Sequence, residues 1–353
     1  MQLDIIKGKP STRDRDDILQ LSELSFGTEA IERKRAAWDW MFSAPHVTSD
    51  QAAKTYMLRQ QGQLVAVAIL MPFVLKQQAD LQPSYMVGFI NVHPDKRGAG
   101  LRLMRQFLGE DHYLCGTPNS PKLVPLYGRF GTHQQTPLIR HFRPLRPGAL
   151  LAKKLQLSAA VGTPVDLLWK LAGNLKLPNK TGTGSVQEIP RFDKRSDQLW
   201  QHIKEDFDLV FTRDAALLNW RYAEFPIPGY RLFYALDAAG SVLGHMVTKE
   251  RRSNRRHQLS IVDLFCRPGD MDTFASLTRT AISLGTKRNV ETLTALSGQY
   301  CWTTKAYKTA GLFTSRQSGA VLRNFDANGR CTTETDLART PLFFTEGDMD
   351  TDF

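Results

Sequence analysis

The same pattern of landmarks occurs twice along this chain, and the duplication constrains its fold more than any single motif. Around residue 40 the sequence reads "RKRAAWDWMF", and around residue 220 it reads "TRDAALLNWRY". In each, a helix-like segment ends in Trp-x-aromatic: Trp40 with Phe42, and Trp220 with Tyr222. A hairpin pattern follows in each case, "TYMLRQQGQLVAVAIL" turning at Gly62 and "YRLFYALDAAGSVLGHMV" turning at Gly240. Then "MVGFINVHP" matches "LSIVDLFCRP", two apolar strands that stop at Pro94 and Pro268, each followed by a segment of helical spacing. Last come Tyr127 to Gly131 and Tyr307 to Gly311, both Tyr-x-x-x-Gly. The landmarks are offset by 180 (Trp40 to Trp220), 178 (Gly62 to Gly240), 174 (Pro94 to Pro268) and 180 (Tyr127 to Tyr307). Near-constant spacing in constant order predicts two copies of one α+β unit, each a mixed, mostly antiparallel sheet flanked by helices. The expected boundaries are 1–145 for the first copy, 146–186 for a linker and 187–353 for the second.

The linker, "PLRPGALLAKKLQLSAAVGTPVDLLWKLAGNLKLPNKTGTGS" in its full extent, carries five lysines in its middle against one acid, Asp166. Two readings fit it: a helical element packed across both copies with solvated lysines, or a basic amphipathic stretch that contacts an anionic membrane through 150–180. The C-terminal "FFTEGDMDTDF" is acidic and either closes a site or forms a loose tail.

Charge and cysteine usage narrow the partners. A formal charge of +11 over 353 residues favours an anionic ligand, a nucleic acid or a membrane surface over a polycationic one. The densest basic cluster, "KERRSNRR" at 249–256, has no interleaved aromatics, so a single-strand stacking platform is not expected, nor is DNA binding. Four scattered cysteines (Cys115, Cys266, Cys301, Cys331) form no Cys-x-x-Cys pair, which argues for a reducing cytoplasm and against a zinc site. The longest apolar run, "LVAVAILMPFVL" at 64–75, is too short to span a bilayer and reads as a strand. The N-terminus lacks the basic-then-apolar layout of a signal peptide.

Chemistry concentrates at "NVHPDKRGAGLRL", 91–103. A strand that enters a helix through a glycine turn presents backbone N–H groups and the positive end of the helix dipole, an arrangement suited to an anion. The turn is neither a Walker loop, since no Gly-Lys-Ser/Thr follows, nor a Gly-x-Gly-x-x-Gly dinucleotide fingerprint.

Arg97-Gly98-Ala99-Gly100-Leu101-Arg102, preceded by a strand ending in Val-x-Pro, resembles the acyl-CoA pyrophosphate loop of the GNAT acyltransferase superfamily. The upstream "DRDDILQLSELSFG" is similar to its first helix, and "DHYLCGTPNSPKLVPLYGRFG" to its next strand and tyrosine-bearing helix. The second copy keeps the strand and the Tyr-x-x-x-Gly element, but its turn reads "RPGDMDTFA", without the loop. The resemblance covers nearly the whole chain as two tandem GNAT-like domains, and its ending is similar to that of tandem proteins found with bacterial surface-polysaccharide genes. It implies acetyl-CoA or another acyl-CoA as donor and an amine as acceptor, with an amino sugar or nucleotide-linked amino sugar as the finer expectation.

The resemblance also implies roles. Backbone groups at Asn91 and Val92 would bind pantetheine, and amides from Gly98 through Ala99 and Gly100 to Leu101 would hold the pyrophosphate, with Arg97 and Arg102 adding charge. Tyr127 would protonate the departing thiolate. His93 stands where it could accept the amine proton directly or through water; His112 is no better placed. Asp263, an acid within the apolar "IVDLF", either orients substrate between the copies or bonds a buried partner. Two rival readings keep the fold: a FemABX-like peptidyltransferase using aminoacyl-tRNA, which the positive charge suits, and a binding protein with both sites degenerate.

Overall fold

The computed structural model describes residues 1–45, 51–77, 79–109, 113–116, 134–174, 184–253, 256–316, 320–323 and 341–349. The first half runs β1 (Gln2–Lys7), α1 (Thr12–Phe26), α2 (Thr28–Met41), β2 (Lys54–Gln60), β3 (Gln63–Gln77), β4 (Asp80–Val92), α3 (Arg97–Gly109), β5 (Tyr113–Gly116), β6 (Gln134–Thr136) and β7 (Leu138–Pro144). A helical hairpin follows, α4 (Pro147–Lys154) and α5 (Thr163–Asn174), joined through a tight turn at Ala159–Gly162. The second half runs β8 (Ser185–Ile189), α6 (Lys194–Ile203), β9 (Leu209–Phe211), α7 (Ala215–Leu218), β10 (Tyr230–Leu236), β11 (Val242–Ser253), β12 (Arg256–Cys266), α8 (Met271–Lys287), β13 (Thr292–Gly298), α9 (Trp302–Thr309), β14 (Phe313–Arg316), β15 (Ala320–Arg323) and β16 (Leu342–Phe343).

Local sequence accounts for the elements. The β2–β3 hairpin closes through Gln61 and Gly62, both at positive φ, which matches the twist of the flanking strands. In α8 the buried residues Phe274, Leu277, Thr278, Ala281 and Ile282 recur at i, i+3, i+4, i+7 and i+8, one continuous stripe. Asp270 caps the helix by accepting the Thr273 N–H at 3.0 Å. The apolar run 64–75 is a strand, as expected, and it is buried along nearly its whole length because both faces of its sheet are covered.

Two sheets carry these elements. The first is ordered β1-β2-β3-β4-β5-β15-β6, with β9 added to the far end of β3 and β16 added to β9. The second is ordered β8-β10-β11-β12-β13-β7-β14. Matched position by position the orders are the same, and each has a parallel pair in the same place, β4 with β5 and β12 with β13; the added β9 and β16 are also parallel to each other. The sixth position is exchanged between the halves. Strand β7 of the first half inserts between β13 and β14, while β15 of the second half inserts between β5 and β6. A boundary near residue 145 therefore divides the sequence and not the sheets, because each sheet is completed by a strand from the other half.

The core follows this arrangement. One cluster packs α3 residues such as Leu103 and Phe107 against the first sheet, and a second packs Phe274, Leu277 and Tyr307 against the second sheet. A third lies between the halves, where Trp40, Phe73, Trp220, Leu296 and Phe344 meet.

Candidate active site

Strand β4 carries the site. Its pairing with β3 shifts register between Ile69 and Leu70, opposite Phe89 and Val87, so Gly88 is an extra residue that bulges the strand. Its parallel pairing with β5 covers only Ser84 to Met86. From Val87 to Val92 no described β5 residue pairs with β4. The strand then ends at His93 and Pro94, and α3 begins at Arg97.

Glycine at position 100 brings α3 close to the strand. A Cβ there would sit 3.0 Å from Val92 Cγ2, tighter than most packed contacts allow, so a larger residue would push the first helical turn off β4. Ala99 is fully buried beneath the turn. Gly98 differs: a Cβ placed on it meets nothing within 4 Å, so this glycine faces open space at the helix N-terminus. Of the first-turn N–H groups, that of Ala99 donates to the Lys96 carbonyl at 2.8 Å; the turn as a whole lies at the positive end of the helix dipole.

The two side chains that end the strand point to opposite faces, as strand alternation requires. Val92 packs under Gly100, while Asn91 is buried and donates from Nδ2 to Ser22 Oγ of α1. Asn91 Oδ1 has no hydrogen-bond partner among the described residues. Ser25 of α1 donates to the Val92 carbonyl at 3.3 Å, fixing the end of β4 against the helix.

His93 is half-buried, and its Nδ1 accepts the Asp95 N–H at 3.3 Å. That contact places the proton of the neutral ring on Nε2. Arg102 is exposed and donates from Nη2 to the Met1 carbonyl at 3.1 Å, so its guanidinium is engaged at the start of β1. Leu101 is exposed on the same turn. The side chain of Arg97 lies outside the described residues, as do Tyr127 and His112 entirely.

The equivalent place in the second half is filled. Strand β12 bulges at Val262, opposite the Val247–Thr248 shift, and its parallel pairing with β13 stops at Ile261. Into this parting runs the C-terminal segment. Leu342 and Phe343 pair with β9, and Thr345 to Asp348 form a turn closed by a capping box. A Cβ at Gly347 would lie 1.9 Å from the Tyr222 hydroxyl, which shows how tightly the turn is lodged. Of the readings the sequence left open for the acidic ending, closure of a site is the one the structure adopts over the described part.

A buried ion cluster holds the segment in place. Arg213 donates from Nε to Asp263 at 3.3 Å and from Nη2 to Asp348 at 2.7 Å, and from Nη1 to the Phe211 carbonyl at 2.8 Å. Its guanidinium lies near the Phe343 and Phe265 rings, at 4.8 and 5.6 Å from their centroids. Tyr222 donates to Asp263 at 3.2 Å, and Arg221 donates to the carbonyls of Gly347 and Met349. Burial alone would raise the Asp263 carboxyl, but Arg213 and then His245 outweigh it and hold it down to about 2. Asp348 moves the other way: burial raises it more than Arg213 lowers it. Asp263 thus bonds a buried partner, the second of its two expected roles, and is only 2% exposed.

Tyr307 lies in the core of the second half, packed edge-on against Phe274 at 4.8 Å and beside His141 at 4.7 Å, with burial pushing its hydroxyl well up. Sequence reasoning did not find Arg213 or the closing role of Tyr222. The signal available was an arginine two residues after the buried run Leu209–Phe211, paired with the acids of the ending.

Two matching sheets, each with a bulged fourth strand and a parallel neighbour in the same place, define the tandem GNAT fold. Comparison with solved structures agrees. An Anabaena variabilis GCN5-related N-acetyltransferase superposes with a TM-score of 0.61 at 11% identity, covering 91% of this chain and 72% of that one. Saccharomyces cerevisiae N-myristoyltransferase, solved with myristoyl-CoA and inhibitors, gives 0.58 at 14% identity over 97% of this chain and 86% of that one. A tandem GNAT protein from the clavulanic acid biosynthesis pathway gives 0.54 at 13% identity over 91% and 98%. No protein-family model and no curated protein sequence matches the chain.

Proposed function

We propose that this protein is an acyl-CoA-dependent N-acyltransferase whose chemistry runs in the N-terminal half. The observation that carries this reading is the contrast between two equivalent clefts. Beside β12 the parting is filled by Thr345 to Asp348, whereas beside β4 the helix turn at Gly98 faces open space. The residues there fit the donor. Gly98 leaves room for a pyrophosphate against the α3 N-terminus, Gly100 lets that turn lie close on Val92, and the end of β4 at Asn91 and Val92 would offer backbone groups to an amide-bearing arm. The donor supplies an acyl carbon activated as a thioester.

This chain's own residues then have distinct tasks. The first-turn amides of Gly98 to Leu101, with Arg97, hold the anionic end of the donor, that of Ala99 only by releasing the Lys96 carbonyl. Val92 sets the distance between strand and helix, and Asn91 presents Oδ1 at the end of the strand. Tyr127 gives its phenolic proton to the leaving sulfur. His93 serves as base only by releasing the Asp95 N–H, so the amine proton passes to His93 or to water at that turn. Arg102 contributes to the positive field but is tied to β1. Asp263 acts by keeping the second cleft closed. The acceptor is a small-molecule amine, with an amino sugar or nucleotide-linked amino sugar as the specific class suited to a basic protein.

The test is the thermal midpoint with acetyl-CoA, CoA and aminoacyl-tRNA added separately, since a ligand of the native state raises it. A rise with acetyl-CoA that is lost in Gly100→Glu supports the proposal. A response to tRNA alone, falling with salt, would replace it with peptidyl transfer. No response to any of the three would leave a binding protein.

A further inference from the structure

The linker between the halves has a structure that neither cleft explains. Helix α4 crosses the turn that leads into α5 in direct backbone contact: a Cβ on Gly148 would lie 1.9 Å from the Gly162 carbonyl oxygen, and one on Gly162 would lie 2.2 Å from that of Gly148. Asp166, the one acid of the hairpin, is buried at the crossing. It accepts the Gly148 N–H at 2.6 Å and Arg146 Nε at 3.2 Å, capping the start of α4. Trp169 donates to the Pro144 carbonyl of β7 at 2.8 Å, and Lys153 pairs with Glu291 of the second half at 3.1 Å. The hairpin is therefore fixed to the body at several points.

Its outer side is apolar. Sixteen large apolar side chains are exposed among the described residues, and seven of them fall within 151–168, including Leu151, Leu155, Leu157, Val161, Leu167 and Leu168. Val161, Val165 and Leu168 are spaced i, i+4 and i+7, one stripe, while Gly162, Asp166 and Trp169 form the anchoring stripe beside it. Leu168 is 67% exposed. A concentration of this kind on a rigid element marks a contact surface.

The surrounding charge identifies the occupant. With Asp166 buried, the exposed ionic side chains described on this hairpin are Lys153, which pairs with Glu291, and Lys154. Lys153 also lines a cavity of about 930 Å³ whose other cations are Arg146, Arg252 and Arg288, set against the two carboxylates of Glu250 and Glu291. Part of the basic run 249–256 is thus brought beside the apolar hairpin. A second copy docked here would oppose lysine to lysine, whereas an anionic bilayer satisfies the aliphatic stripe and the cations together.

We infer that the α4–α5 hairpin and its adjoining cationic cavity dock this protein peripherally on an anionic lipid surface, with the leucines entering the interface. The inference is independent of what the clefts bind. The test is co-sedimentation of the full chain with phosphatidylcholine vesicles, with and without phosphatidylglycerol, at low and high salt. Binding is expected only with phosphatidylglycerol and should weaken with salt. Leu167→Glu/Leu168→Glu should lower the bound fraction about tenfold or more with an unchanged thermal midpoint, since both leucines face solvent. Val161→Ser/Leu168→Ser, a milder pair, gives the same readout if the first variant folds poorly. Equal binding to both vesicle types, no binding, or binding unaffected by either pair overturns the proposal. A loss of self-association in the leucine variants without vesicle binding overturns it in favour of a dimer face.

Discussion

Trp40 and Trp220 lie face to face, 4.4 Å between ring centroids and 7° from parallel, and each donates its indole N–H to the other's backbone carbonyl. The two residues stand at matched places in the two halves, so the contact lies on the pseudo-twofold relation between them. Each indole satisfies a buried carbonyl and is satisfied in return. Trp40→Phe should cost about 2–3 kcal/mol, because it leaves the Trp220 carbonyl unpaired and a small void beside it. Trp220→Phe should cost less, because the Trp40 carbonyl keeps the Ser43 N–H at 3.1 Å and the Ser43 hydroxyl at 3.0 Å. The double variant should cost less than the sum by about 1 kcal/mol, since the stack is lost once. Denaturant unfolding of the four proteins measures this; strict additivity would mean that the rings do not act as a pair.

Arg213 is shared by two buried carboxylates, and its removal should be severe. Arg213→Met leaves Asp263 and Asp348 without their cation and should destabilise by about 3–5 kcal/mol. The sign of its pH dependence is distinctive. Without Arg213 both carboxyls shift up in the fold, so the variant loses stability as pH rises through those values. The gap to wild type should therefore narrow on acidification, and Asp263→Asn/Asp348→Asn in the variant background should recover part of the loss. Thermal melts across pH read both effects.

His141 offers a second pH test. Burial, with Lys308 adding to it, lowers the imidazole to about 4, while the ring hydrogen-bonds Ser297 at 2.8 Å. The unfolded chain takes up that proton near 6.5 and the fold does not, so stability falls as pH drops from about 6.5 to about 4. The full difference is about 3 kcal/mol. His141→Gln should be less stable at neutral pH but flatter over that window. An unchanged slope would assign the acid sensitivity to other groups.

Two substitutions separate donor binding from chemistry. Gly98→Glu has room to fold and places a carboxylate at the α3 N-terminus, where the dipole favours it. It should keep or slightly raise the melting temperature while abolishing the shift given by acetyl-CoA. Tyr127→Phe should retain that shift and lower kcat by about a hundredfold or more. Unchanged turnover would remove Tyr127 from the proton-donating role.

Much of this architecture was legible in short stretches. The alternation and turn residues of "RQQGQLVAV" specify a hairpin, and the stripe from Phe274 to Ile282 specifies a helix, because both patterns are local periods. The glycine turn at 98–100 was equally local, and so was its absence after Pro268. The matched tryptophans announced two copies, though not that they would face each other.

What the sequence determined by itself was the inventory: two α+β units, their strands and helices, and which of them carries the glycine turn at 98–100. The tertiary structure alone decided the partners. The exchange of β7 and β15, the turn at Thr345 to Asp348 lodged beside β12, and the commitment of Asp263 to Arg213 all join residues far apart in the chain. A period of two or 3.6 tells a segment which face to bury, and it carries no information about which distant segment will cover that face. Asp263 could be read either way from "IVDLF"; only the arrival of Arg213, 50 residues earlier in the chain, settled that it bonds a buried partner beside β12.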